Sequence, residues 1–121
     1  MAVRAVVTPL DYRRMVDAQE SEKAFQARVL ELAAVTGWHS YHTYDSRRSQ
    51  AGYPDLTLVR GTRLIFVELK TQRGRMSPAQ RAWREVLLAT GKVEYYCWRP
   101  ADWPEIEQVL APERVRRGRA A

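Results

Sequence analysis

The stretch that most constrains this chain runs from Gly52 to Lys70, GYPDLTLVRGTRLIFVELK. Two largely apolar runs, 55–60 and 63–70, flank Gly61-Thr62. Glycine at the first of two central positions suits a two-residue type II′ hairpin turn. Such a turn sets the register: Arg60 opposite Arg63, Val59 opposite Leu64, Leu58 opposite Ile65, Thr57 opposite Phe66, Leu56 opposite Val67. One step further it sets Asp55 opposite Glu68, with Cβ atoms roughly 4.5–5.5 Å apart. Lys70 follows on the same face, roughly 6–7 Å along the strand.

That arrangement is costly. Like charges directly opposite destabilise a ladder, and both faces of the hairpin are rich in Leu, Ile, Val and Phe, as in a central, half-dry hairpin. Two carboxylates side by side in such a place need a cation or a raised pKa. Lys70 offsets part of the charge, and a divalent metal offsets more. Mg²⁺ is typically held by one or two carboxylates together with waters and phosphate oxygens. Singly, each residue has an ordinary explanation: Asp after Pro in a turn, and Glu68 with Lys70 as a solvated ion pair. Together on one apolar face, Asp55, Glu68 and Lys70 point to a site.

The rest of the 121 residues suit one compact α/β domain. Residues 1–17 show no clean period and read as an N-terminal arm. A first helix is expected over 18–36, with Phe25, Val29, Leu30 and Ala33 at helical spacing and Thr36-Gly37 as its stop. WHSYHTY alternates as a strand does, and DSRRSQAGYP is a loop. After the hairpin, Ser77-Pro78-Ala79-Gln80 is a capping box with Pro at the first helical position. VEYYCW is a further strand, and Asp102-Trp103-Pro104-Glu105 opens a last helix ending near Leu110. The order is α-β-β-β-α-β-α, a sheet with flanking helices over 18–110, followed by a basic tail, 111–121.

The formal charge is +6, and every basic residue but Lys23, Lys70 and Lys92 is arginine. Such a balance favours an anionic partner, nucleic acid first and an acidic membrane surface second. An arginine excess that merely follows genome composition is the plain alternative. No apolar run approaches the length of a membrane span, and no leader pattern opens the chain. A lone Cys97 provides neither an intramolecular disulfide nor a cysteine zinc site. A cytoplasmic protein with no membrane partner and no organic cofactor is expected.

YPD, twelve residues, then ELK resembles the signature of the PD-(D/E)XK nucleases. SEKAFQARVLELAAVTGW, HTYDSRRSQAGYPDL, FVELKTQRGRMSPAQRAW and CWRPADW together resemble the virus-type replication-repair nuclease branch, the VRR-NUC domain, over roughly 20–110. The resemblance implies a restriction-endonuclease-like core with a mixed central sheet, and metal-dependent hydrolysis of DNA phosphodiesters. It implies that Asp55, Glu68 and the backbone carbonyl of Leu69 hold Mg²⁺, or Mn²⁺ in its place, and that Lys70 orients or activates the attacking water. Glu22 matches an acidic residue of the first helix, which the resemblance adds to the metal ligands and catalytic residues, and Gln80 matches the glutamine of the helix after ELK, a further catalytic residue by the same resemblance. Tyr53 stands where such sequences often carry Val or Phe. Free-standing members resemble enzymes that cut Holliday junctions, so the expected substrate is branched or structured DNA and the expected assembly a homodimer, in a bacterial or phage-infected cytoplasm. A restriction-like, nicking or RNA-directed nuclease of the same fold is the alternative, as is a nucleic-acid-binding protein without catalysis.

Each supporting residue has a competing explanation. Glu22 complements a helix dipole, with Glu20 as an alternative acid and Gln26 one turn on along the same face. Gln80 already serves as the N3 residue of a capping box, a role compatible with facing anions. His39 and His42 fall on opposite faces of a strand and cannot share one ion there. Arg47, Arg48, Arg73 and Arg75 are candidate phosphate contacts, extended by Arg81 and Arg84, with a solvated basic loop as the alternative. Arg114, Arg116, Arg117 and Arg119 add salt-sensitive affinity or only solubility. Trp38, Tyr41, Tyr95, Tyr96 and Trp98 are read first as core aromatics.

Overall fold

The computed structural model describes residues 7–44 and 49–112. Arg47 and Arg48, the rest of the loop 45–48 and the tail arginines lie outside the described residues. No described helix is long and apolar enough to cross a membrane. Four helices and four strands follow in the order α1 (Pro9–Gln19), α2 (Glu22–Val35), β1 (His39–His42), β2 (Leu56–Arg60), β3 (Arg63–Leu69), α3 (Pro78–Ala89), β4 (Glu94–Trp98) and α4 (Trp103–Leu110). A 3-10 turn, Pro100–Asp102, leads into the last helix.

The expected arm is helical from Pro9. Thr8 and Asp11 form a reciprocal capping box, with Pro9 in the first turn. Asp in the place usually held by Glu or Gln hides the signature. Leu10, Tyr12, Met15 and Val16 are all exposed, so no buried stripe imposes a period on the sequence. The helix expected over 18–36 is α2, which starts at Glu22 after its cap, Ser21, whose hydroxyl accepts from the Ala24 amide; residues 18 and 19 belong instead to α1, which ends at Gln19. At its other end Gly37, at φ 87°, closes α2 as a Schellman motif: Trp38 N–H donates to Ala33 and Gly37 N–H to Ala34.

The hairpin has the register set by its turn, from Arg60↔Arg63 to Leu56↔Val67. Gly61 sits at φ 59° while Thr62 does not have a positive φ, as type II′ requires. β1 pairs antiparallel with β2, and β4 joins β3 in parallel, which gives a mixed sheet of order β1-β2-β3-β4. A crossover through α3 is what a parallel neighbour demands.

The two faces differ. Leu56, Leu58, Ile65, Val67 and Leu69 form a fully buried core with Phe25, Val29 and Ala33 of α2 and Ile106 and Leu110 of α4. The opposite face carries Thr57, Val59, Leu64 and Phe66, where α3 buries no residue fully. At the hairpin tip two like charges face each other, a costly pairing unless offset. Arg60 donates to the carbonyls of Thr36, Leu110 and Ala111, at the C-terminal ends of α2 and α4. Arg63 donates to Glu94 and to the carbonyl of Val109, and both guanidiniums stack on Trp38. Helix C-termini carry partial negative charge, so these two arginines pin the closed end of the hairpin beneath two helices.

The open end is fixed from the other side. Gly52 has φ 85°, and a Cβ there would overlap the Ala79 carbonyl and stand 2.7 Å from the Gln80 amide nitrogen. Only glycine lets the loop before Asp55 rest on the first turn of α3. Gly52→Ala is expected to cost about 2 kcal/mol or more in urea unfolding, through left-handed strain and overpacking together. Gly61→Ala, where nothing lies within 4 Å, pays for the strain alone, about 1 kcal/mol. Equal losses at the two positions would contradict the close approach.

Candidate active site

The open end of the hairpin brings together Asp55 before β2 and Glu68, Leu69 and Lys70 at the end of β3. The ladder stops one pair short of the expected Asp55–Glu68 pairing, because β2 begins at Leu56. Asp55 instead turns its carboxylate across the strand end, where Oδ2 accepts from the Leu69 amide at 2.7 Å. The Asp55 backbone stays paired to the sheet's other neighbour: its carbonyl accepts from Thr43 N–H at 2.8 Å, and the Thr43 hydroxyl donates to the Pro54 carbonyl at 2.8 Å. Thr43 thus holds Pro54-Asp55 as a two-point clamp. Past Leu69 the backbone stays in line, since Lys70 N–H donates to Trp98 at 3.0 Å.

Glu68 is 1% exposed, the most deeply buried charged side chain among the described residues. Its Oε1 accepts from Gln80 Nε2 at 2.8 Å and lies 3.8 Å from Lys70 Nζ. Its Oε2 is buried with no hydrogen-bond donor. Burial first, then the charge of Asp55, push the Glu68 pKa up to about 9, while Lys70 opposes the rise. The Gln80 amide makes two contacts. Its oxygen accepts from Ser77 N–H at 2.8 Å to close the capping box, and its nitrogen is left to hold Glu68.

Glu22, in the first turn of α2, is exposed as a residue. Its carboxyl end is nonetheless partly shielded. That shielding and the Asp55 charge raise its pKa, and Lys70 lowers it. With Lys23, Gln26, His42, Thr43, Tyr44 and Asp55 it lines a cleft of about 610 Å³. The alternative acid Glu20 is committed elsewhere, in a two-point pair with Arg28. His39 stays outside this cleft, whereas His42 lines it with its ring 4.2 Å from that of Tyr44. Arg73, Arg75 and Arg81 are exposed, and Arg84 is half-buried with a guanidinium nitrogen 3.7 Å from the Met76 sulfur.

Three contributors went unmarked in the sequence reading. Thr43 and Gly52 act through backbone contacts that no residue pattern announces. Tyr95, read as a core aromatic, has a buried hydroxyl without a partner, and burial followed by the Glu68 charge raises its pKa. Of the other aromatics, Trp38 and Trp98 are buried, but Tyr41 is 59% exposed, against the core reading.

Among the described residues, no three His, Cys, Asp or Glu side chains converge closely enough to hold a metal ion by themselves. Two carboxylates with one donorless oxygen nonetheless fit a small hard cation, which is commonly completed by waters.

A raised carboxyl pKa means that the folded chain keeps a proton which the unfolded chain has released. Stability is then full below the ordinary value of 4.5 and declines as pH rises toward about 9. Urea unfolding of the protein in EDTA is expected to show this decline, and Glu68→Gln to flatten it. An unchanged slope in the variant would show that another group is responsible.

The protein-family comparison returns one model, the VRR-NUC domain, matched over residues 9–109. No curated protein and no solved structure matches the chain. The match spans most of the sequence, takes in α1 at one end and α4 at the other, and includes every residue at the open end of the hairpin; the chain belongs to the VRR-NUC family of nuclease domains, which act on DNA.

Proposed function

We propose that this protein is a PD-(D/E)XK endonuclease that uses Mg²⁺, with Mn²⁺ as a substitute, to hydrolyse DNA phosphodiester bonds at Asp55, Glu68 and Lys70. The observation that carries the reading is the buried Glu68 carboxylate, set against Asp55 with one oxygen lacking any donor. Burial favours the protonated form of this carboxyl, so its ionised form calls for a positive partner, and Lys70 at 3.8 Å is only a partial one.

Asp55, Glu68 and the Leu69 carbonyl would hold the ion, with Glu22 facing it across the cleft. When bound, a divalent ion polarises the phosphate, lowers the pKa of the attacking water and stabilises the leaving oxygen. The protein does the rest by positioning. Gln80 and Lys70 fix one oxygen of Glu68, and the Leu69 amide fixes one oxygen of Asp55, so neither carboxylate is free to swing. The Lys70 side chain is 13% exposed, and its ammonium supplies fixed positive charge where the phosphate gains negative charge. It also orients the attacking water. Arg73, Arg75, Arg81 and Arg84 contribute salt-dependent contacts to the backbone of the DNA. Branched or otherwise structured DNA is the proposed substrate. Symmetric cutting of two strands at a junction needs two sites, hence a homodimer.

Labelled junction, duplex and single-stranded DNA, and an RNA control, are each incubated with Mg²⁺ or Mn²⁺. Cutting of DNA with the junction preferred is expected, and no cutting in EDTA. Asp55→Ala and Lys70→Ala are expected to lose at least about a hundredfold in cutting rate, as removal of a group acting on the transition state does, while binding persists. DNA binding without cutting by either metal, or normal cutting by both variants, would overturn the proposal.

A further inference from the structure

A second cavity lies beside the cleft that contains Glu22 and Asp55. It measures about 350 Å³ and is lined by Tyr41, Thr43, Ser49, Gln50, Tyr53 and Trp83, a size suited to a small planar group. Its apolar wall is fixed by edge-to-face packing. Tyr53 meets Trp83 at a centroid distance of 5.0 Å and an interplanar angle of 81°, and meets Phe66 at 6.3 Å and 85°. Tyr41 is 59% exposed and contributes nothing to the buried core. A phenol ring held out from an edge strand beside a fixed aromatic wall is an unfilled stacking surface.

One residue joins the cavity to the candidate active site, and two others stand near it along the chain. Thr43 lines both it and the cleft that contains Glu22 and Asp55. Tyr53 lies two residues before Asp55, and Trp83 lies one helical turn after Gln80, which holds Glu68. Arg81 and Arg84, on the same helix, bring the positive charge that a polyanion requires.

We propose that this cavity takes one unstacked base of the DNA, adjacent to the phosphodiester presented to Asp55 and Glu68. The inference rests on the DNA-cleaving reading above and narrows its substrate to DNA with an unpaired or readily unstacked nucleotide beside the cut. Aromatic faces accept any base, because every base has a π-face, and Ser49 and Gln50 offer hydrogen bonds to its edge. A base inside the duplex has its faces covered by its neighbours, so the nucleotide must leave the stack to enter the cavity.

The test compares two labelled duplexes by fluorescence anisotropy, one fully paired and one identical except for a single unpaired nucleotide. The full chain is used throughout, with Glu68→Gln in every protein to halt cutting. Stacking of one base predicts about tenfold tighter binding of the duplex with the unpaired nucleotide. Tyr41→Ala is expected to abolish that preference with paired-duplex affinity unchanged, and Tyr41→Phe to keep it. No preference in the parent, an equal loss on both duplexes in Tyr41→Ala, or a dimer that Tyr41→Ala turns into monomer in sedimentation would each overturn the inference. Paired-duplex binding without preference overturns this inference alone, whereas no binding of either DNA overturns the nuclease reading as well.

Discussion

The interaction on which the structure turns is the burial of the Glu68 carboxylate against Asp55 at the open end of a hairpin. Removing an anion from water is expensive, and placing a second beside it adds repulsion. Both penalties are tolerated because the hairpin leaves neither side chain a way out. The Gly61-Thr62 turn sets the register, the buried residues from Leu56 to Leu69 make slippage costly, and a slip of one residue would turn Glu68 into the core. Carboxyls perturbed by burial and a like-charged neighbour cluster at functional sites.

The remaining elements divide between the two ends of the hairpin. At the closed end, Arg60 and Arg63 reach the carbonyls that finish α2 and α4 and stack on Trp38. These arginines therefore belong to the scaffold, although charge alone would have counted them among contacts to an anionic partner. At the open end, α3 arrives by its N-terminus, held close by Gly52, and Gln80 joins its own helix cap to Glu68. The sheet is sealed on one face and only partly covered by α3 on the other, which leaves Tyr41, Tyr53 and Trp83 around a cavity beside the site.

Much of this was legible in the chain. The hairpin register followed from a two-residue turn, a local rule. The α3 start followed from a capping box, whereas the bond from Gln80 to Glu68 depends on where the helix docks. The mixed sheet came only from the resemblance to VRR-NUC domains, since strand direction depends on where α3 crosses. The first helix was missed because an exposed helix leaves no buried stripe, and its cap uses Asp11 rather than Glu or Gln. The Asp55–Glu68 pairing was right about proximity but wrong about geometry. Asp55 leaves the ladder to accept from the Leu69 amide, a choice decided by backbone donors at a strand end. Thr43 and Gly52 act through main-chain contacts to segments distant in sequence, for which composition and period carry no signal.

The central claim is that the two carboxylates are held together for a cation. Isothermal titration of Mn²⁺ into the DNA-free protein tests it most directly, alongside Asp55→Asn and Glu68→Gln. The account predicts saturable binding to the parent chain and loss of that binding in both variants. No binding to the parent, or the same binding in all three proteins, would contradict it.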